Sequence, residues 1–274
     1  MPNAPVSAPG AAPYAEVRGL TRGLAVLRAL NEAPAGIASV TDLARATGLH
    51  RTTVKRLLET LRREGLVHLK DEGTSHSLGF EVRRLSEGYV AADWIGRIAA
   101  PAMRTHLRAL SWPSDLATPD NGFMIVRGST HRASLLSQHR ATIGIRIPLL
   151  VSSLGRAWLA WCTDEERAAT LALLRARTDA IGEQARDTRY VERILRETRK
   201  RGYAVNRGEW LEEGSVIAIG LPIMAGDHAI GAINIVLQRS MVSEADVTRR
   251  DTPLVRELAR EISAQVSAEA DGTA

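Results

Sequence analysis

Apolar residues recur along this chain at two spacings, one helical and one alternating, and the change between them divides it. In the first third the period is helical. From His50 onward Val54, Leu57, Leu58 and Leu61 fall at i, i+3, i+4 and i+7, which predicts a helix with one buried face. Its opposite face is centred on Thr52, Arg56, Glu59 and Arg63, with Arg51, Lys55 and Arg62 on the flank. Upstream, the side-chain oxygen of Ser39 suits an N-cap, and Asp42 stands three residues on, where an acid favours the positive helix end. A short helix therefore starts near Val40 and stops near Thr47, because Gly48 supplies the positive φ of a sharp turn. An earlier helix is expected over Gly19 to Leu30, with Leu20, Leu24, Leu27 and Leu30 near one face. Downstream, Gly65 ends the long helix and Leu66 to Lys70 reads as a strand. Asp71-Glu72-Gly73-Thr74 is turn chemistry, and Ser75 to Leu78 returns as a second strand.

A short helix, a glycine turn, a basic second helix and a two-stranded wing follow one another in the order of a winged helix-turn-helix. Arg and Lys bond guanine edges and Thr can touch a base or the thymine methyl, and the first turns of such a helix reach deepest into the groove. Base reading is therefore expected of Arg51, Thr52, Thr53 and Arg56, and phosphate contact of Lys55 and His50. Arg18 is either a minor-groove arm or a solvated arginine. The acidic pair Asp71 and Glu72 keeps the wing tip off the phosphates.

Beyond the wing, Glu81 to Val90 and Asp93 to Leu110 read as helices, with Pro101 marking a break or a new first turn. The texture then alternates. Ser114 to Thr118 and Phe123 to Arg127 flank the turn Pro119-Asp120-Asn121-Gly122, and Val216 to Pro222 and Ala229 to Leu237 flank Ala225-Gly226-Asp227-His228. Another strand is expected over Leu135 to His139. Helices are expected at Leu154 to Trp161, Asp164 to Arg177, Thr188 to Arg201 and Asp251 to Ala268, with Thr163 and Glu166 as a capping box. This irregular order predicts an α+β fold, a sheet with helices on its faces.

Composition narrows the chemistry. The net charge of +5 fits a nucleic-acid partner, but from Tyr14 to Phe80 ten Lys and Arg stand against seven acids, an excess of three. Tight DNA binding then needs a dimer that pools two modest basic surfaces. Cys162, the single cysteine, excludes an intramolecular disulfide and a cysteine-rich zinc site; it fits a reducing cytoplasm and reads as a core side chain. No segment has the roughly 18 continuous apolar residues of a membrane span, no metal or cofactor motif is present, and residues 1–13 are expected to be disordered.

The residues also carry a resemblance. Arg22-Gly23-Leu24 through the helix-turn-helix, Gly144 to Leu149, Ser152-Ser153-Leu154-Gly155-Arg156-Ala157, Arg201-Gly202-Tyr203-Ala204-Val205 and Ile230-Gly231-Ala232 together resemble an IclR-type bacterial transcription regulator. The resemblance implies a winged helix-turn-helix (14–79), a linker helix (80–98) and a GAF-like effector-binding domain (99–270), assembled as a homodimer or dimer of dimers, with RNA polymerase as a further partner. The runs VRGLTRGL, TGLHRTTVKRLLETL, RRLSEGY and WPSD look most like activators of hydroxyphenylpropionate catabolism.

An effector site is expected where Ser152 and Ser153 precede a helix whose free N–H groups suit a carboxylate. The resemblance places the ligand against this helix start, facing the strand with Asn234, so Ser152, Ser153, Leu154, Gly155 and Asn234 are its expected contacts. Arg146 either pairs with a carboxylate or forms a structural salt bridge. The chain departs from the commoner family pattern with Ala218 where Cys is frequent, and with Asn234 and Val236 where Ser is frequent. A more apolar pocket favours an aromatic acid over a small aliphatic one. The competing classes are a hydrolase using Ser152 or Ser153, for which no G-x-S-x-G elbow is present, and a non-catalytic adaptor.

Overall fold

The computed structural model describes residues 16–70, 73–85, 94–137, 143–210 and 215–271, and the chain divides into two compact units, Met1–Val90 and Ala91–Ala274. The expected disorder of 1–13 and the acidic wing tip at Asp71 and Glu72 lie outside the described residues, as does the middle of the expected linker helix.

In the first unit α1 (Arg18–Glu32) is followed by β1 (Ile37–Ser39), α2 (Val40–Thr47), α3 (Arg51–Arg63), β2 (Val67–Lys70), β3 (Ser75–Leu78) and a single turn, α4 (Glu81–Arg84). The Ser39 hydroxyl accepts from the Asp42 N–H at 3.2 Å and donates to the Asp42 carboxylate at 2.6 Å, and Gly48 takes the left-handed conformation at φ 66°. Val54 and Leu58 are buried beside Leu43, Val26 and Leu30, and Leu57 and Leu61 pack against them. Two expectations are corrected. Leu20 and Leu24 are 63% and 43% exposed, because the packed arc of α1 runs instead through Gly23, Val26, Leu27 and Leu30. The wing has three strands in the order β1-β3-β2, since Ile37–Ser39, too short to show a pattern, pairs antiparallel with Ser75–Ser77.

The second unit opens with a π-helical turn, Ile95–Ala99, that runs into α5 (Ala100–Leu110). Pro101 stands in the first turn of α5, as the expectation of a new first turn had it; it lacks an N–H to donate, and the widened turn precedes it. Next come β4 (Ser114–Asp120), β5 (Phe123–Ser129), β6 (Arg146–Pro148), α6 (Ser153–Trp161), α7 (Asp164–Arg175), α8 (Ala180–Arg186), α9 (Thr188–Arg201) and β7 (Ala204–Asn206). The hairpin β8 (Val216–Ala225) and β9 (His228–Gln238), the short α10 (Glu244–Asp246), a π turn and α11 (Thr252–Asp271) complete it. The strands form one antiparallel sheet, β6-β5-β4-β9-β8-β7. The β4–β5 turn shrinks to Asn121-Gly122, both at positive φ, as a two-residue hairpin demands. No strand forms over 135–137, where Leu135 is fully exposed, and 138–139 lie outside the described residues.

Alternation along β8 and β9 separates two cores. Ile217, Ile219, Leu221 and Ile223 with Ile233, Ile235 and Leu237 face α5 and α11, whereas Ala229 and Ala232 share the second core with α6, α7 and α9. On that second face Gly220 is required: a Cβ there would lie 2.3 Å from the Ser153 carbonyl oxygen. Gly220→Ala is therefore expected to push α6 off the sheet and to cost about 1–3 kcal/mol of stability, read as a lower midpoint in urea unfolding. A variant as stable as the parent would show that α6 does not depend on this close approach.

Candidate DNA-binding surface and effector cavity

Helix α3 presents its cations in two different states. Arg51, Lys55 and Arg56, on its first half, are exposed and make no ion pair with any described residue. At the other end Arg62 holds Glu59 through two hydrogen bonds of 2.9 Å, and Arg63 adds a third of 3.1 Å. These bonds, Arg62's first, hold the Glu59 carboxyl down at about 2. His50 caps α3: its Nδ1 lies 2.8 Å from the Thr52 hydroxyl and accepts from the Thr52 N–H at 3.4 Å, so both side chains are engaged locally. Thr53 is half-buried beside them. Arg18 stands exposed in the first turn of α1 rather than on an extended arm.

In the second unit a cavity of about 50 Å³ lies between the start of α6 and the sheet. Ser152, Ser153 and Leu154 line it from the helix, and Asp115, Asn234, Val236, Ala218 and Val216 from the strands. Ile147, Asn206 and Trp210 close it. Period two explains the strand set, since Ala218, Asn234 and Val236 point away from the isoleucine face. Ser152 caps α6, accepting from the Gly155 N–H at 3.0 Å and donating to the Pro148 carbonyl at 2.6 Å. The N–H groups of Ser153 and Leu154 and the Ser153 hydroxyl, by contrast, bond to no described residue. Asn234 is 6% exposed; its Oδ1 accepts from the Asp115 N–H at 3.0 Å, and its amide nitrogen bonds to no described residue. Donors thus converge on the helix start, where the dipole also favours an anion.

Of the residues expected here, Ser152, Ser153, Leu154 and Asn234 come together around the cavity and two do not. Gly155 is behind it, where a Cβ would lie 2.2 Å from the Leu149 carbonyl oxygen; its role is close packing. Arg146 neighbours the lining residue Ile147, so alternation turns it to the outer face, where its guanidinium stacks 4.8 Å from the Phe123 ring centre. Asp115, Asn206 and Trp210 were not foreseen, because sequence distance hides residues that only the sheet and the 204–210 segment bring to α6. Buried Arg156 ties that segment down: it donates to the carbonyls of Leu150 and Val205 at 2.7 Å each, to Glu209 at 3.0 Å and to the Tyr190 hydroxyl at 3.3 Å. Asn206 itself donates to the Val151 carbonyl and accepts from the Gly208 N–H.

Neither Ser152 nor Ser153 is bonded to a histidine, and burial pushes the Cys162 thiol up to about 11, so none of these is an activated nucleophile. Among the described residues no acid, His and Cys cluster could hold a metal, and no helix is long and apolar enough to cross a membrane.

A winged helix-turn-helix joined to a separate α/β unit defines a transcription regulator rather than an enzyme. Comparison gives the family: residues 19–70 match the IclR helix-turn-helix domain and 89–264 the bacterial transcriptional regulator IclR C-terminal domain, and the chain belongs to the IclR family. It is 27% identical over 264 residues to the glycerol operon regulatory protein of Streptomyces coelicolor, covering 92% of this chain and 97% of that one. It is also 27% identical over 204 residues to the transcriptional repressor IclR of Escherichia coli, covering 71% and 70%. An IclR family regulator from Brucella abortus is similar in structure, with a TM-score of 0.54, 26% identity and coverage of 92% and 93%.

The Glu59 clamp yields a prediction. Glu59→Gln removes the charge that holds Arg62 and Arg63, and the freed guanidinium groups should tighten non-specific DNA binding and steepen its salt dependence by about one to two phosphate contacts; an unchanged slope in a fluorescence titration would refute this. Because the folded carboxyl is depressed, the clamp's contribution is full above the ordinary carboxylate range and is lost as pH falls through about 2. A carboxyl titration by NMR should therefore find Glu59 still ionised at pH 3.

Proposed function

We propose that this protein regulates transcription in response to a small carboxylic acid bound in the cavity at the start of α6. The observation that carries the reading is the set of donors there without a partner among the described residues: the N–H groups of Ser153 and Leu154, the Ser153 hydroxyl and the Asn234 amide, on residues that are themselves buried. A carboxylate satisfies them, and its binding energy is what can shift the protein between two states of different DNA affinity. The body of the effector meets Ile147, Leu154, Trp210, Val216, Ala218 and Val236. This apolar lining favours an aromatic acid, in line with the sequence likeness to regulators of hydroxyphenylpropionate catabolism, and makes an aromatic catabolic operon the target. A homodimer or dimer of dimers acting in the cytoplasm, with two copies of α3 in successive major grooves and RNA polymerase as a further contact, completes the reading.

A second reading is favoured by volume. At about 50 Å³ the cavity is smaller than the roughly 150 Å³ that admits benzene in an engineered core, so a small aliphatic acid fits as it stands, whereas an aromatic ring requires the cavity to widen. Titration of the protein on its own promoter DNA, with aromatic and short aliphatic acids in parallel, decides between them. Failure of every acid to change DNA binding would defeat both.

Two substitutions separate reader from sensor. Arg56→Ala is expected to weaken operator binding by about 1–3 kcal/mol through a lost guanine contact, and unchanged affinity would remove Arg56 from the reading set. Asn234→Leu is expected to abolish the effector response in a reporter assay while operator binding stays intact; normal induction would displace the pocket from this cavity.

A further inference from the structure

We propose that a groove beside the second half of β8 binds an aromatic carboxylate, its acid group on Arg256 and Arg260 of α11 and its ring against Trp161 and Met224. The groove has a volume of about 300 Å³ and is separate from the cavity at the start of α6. Trp161 closes the nine-residue helix that Ser153 opens, and at 1.5 Å per residue its two ends stand about 12 Å apart. The proposal is therefore independent of what the cavity binds. Strand pairing makes the room: β7 covers only Ala218–Gly220, so Leu221 to Ala225 run on along β9 with no described strand on their other side. That edge is poorly suited to adding a strand, because Pro222 has no N–H and the Met224 N–H donates to the Ser263 hydroxyl at 2.9 Å. A compact molecule fits there better than an extended peptide.

Charge and surface then define the ligand. Arg256 and Arg260 stand one turn apart on α11, both exposed, and neither makes a hydrogen bond or ion pair with any described residue. Like charges at this spacing repel. Glu261, beside them in sequence, is engaged by His106 Nε2 at 2.7 Å instead, and no described acid lines the groove. The indole N–H of half-buried Trp161 is also without a partner among the described residues. Every polar group that a ligand would meet first is thus a donor, and two of them carry positive charge. Between these donors Leu221, Pro222 and Met224 form an apolar floor. A guanidinium can grip a carboxylate bidentately and stack on a ring, and an indole offers a second aromatic face. An uncharged ring would leave the repulsion between the arginines in place, and a small bare anion would leave the apolar floor in water. An aromatic acid answers both, and about 300 Å³ lies at the lower end of the range for small-molecule sites.

Calorimetric titration of the full-length protein with 2-naphthoate tests it, with 2-naphthamide as the uncharged ring and acetate as the acid without a ring. 2-Naphthoate should bind about fivefold tighter or more than either, the range of two exposed ion pairs acting together. The double variant Arg256→Gln, Arg260→Gln should lose that advantage over the amide. Asn234→Leu, which alters the cavity at α6, should keep it, and that arm separates the two places. Binding of 2-naphthoate that is lost in Asn234→Leu, or that is unchanged in the double arginine variant, overturns the proposal. Equal affinity for the amide, or no binding of 2-naphthoate, overturns it as well. Sedimentation velocity without ligand adds the remaining arm: the double variant should keep the oligomeric state of the parent, and a change would show that a second copy of the chain occupies the groove in place of a small acid.

Discussion

The close approach of α6 to strand β8 is the constraint on which the second unit depends. A helix and a sheet normally stand about 10 Å apart because side chains fill the space between them. Here Gly220 contributes no side chain, and the backbone of Ser153 occupies the room that a Cβ would need. The helix start is thereby pressed onto the sheet with its first N–H groups inside the protein rather than in water. Buried N–H groups without partners are costly, so such a site is stable only if something else repays it or if a ligand completes it. The two isoleucine-rich strands supply the repayment on their other face, where α5 and α11 bury them fully.

That arrangement also governs how the cavity is closed. Arg156 lies one turn into the same helix and bonds to both the segment before α6 and the segment that carries Asn206 and Trp210. A movement of the helix start is thus shared mechanically with the wall opposite it. A buried guanidinium satisfied by two carbonyls, a carboxylate and a phenol acts as a fixed corner, since a buried donor left without its partner costs free energy. The cavity is therefore bounded by rigid elements on the sheet and helix sides, and its size is set by where the 204–210 segment is anchored.

The sequence was most informative where a local rule has a local cause. Ser39, Gly48 and the 3.6-residue spacing of Val54, Leu57, Leu58 and Leu61 place α2 and α3 to within a residue, because capping and burial are decided within two turns. The same holds for Thr163 and Glu166, which form the expected capping box. It was less informative where pairing is distant. Ile37–Ser39, Arg146–Pro148 and Ala204–Asn206 are three-residue strands whose existence depends on partners from about a dozen to about forty residues away, and none shows a pattern of its own. The lining of the cavity divides along the same line. Ser152, Ser153 and Leu154 announce themselves as a helix start, whereas Asp115 enters only through its register with Asn234. Arg146 was drawn toward the site by its charge and excluded from it by alternation, a choice that charge alone could not make.

On the other unit, the division of cations along α3 narrows what the helix can do. A uniform basic face would hold any phosphate backbone along its whole length. With Glu59 engaging both Arg62 and Arg63, the charge left unpaired on α3 is concentrated at Arg51, Lys55 and Arg56, in the first two turns. Those are the turns that enter a major groove, where a guanidinium can distinguish guanine by its two acceptors. The acid on the helix thus removes charge from positions that would add sequence-independent attraction and leaves it on the first half, which holds the arginines proposed to read bases. Glu59 is one of the seven acids that keep the net charge from Tyr14 to Phe80 small, and a small net charge favours discrimination between sequences over affinity for DNA in general.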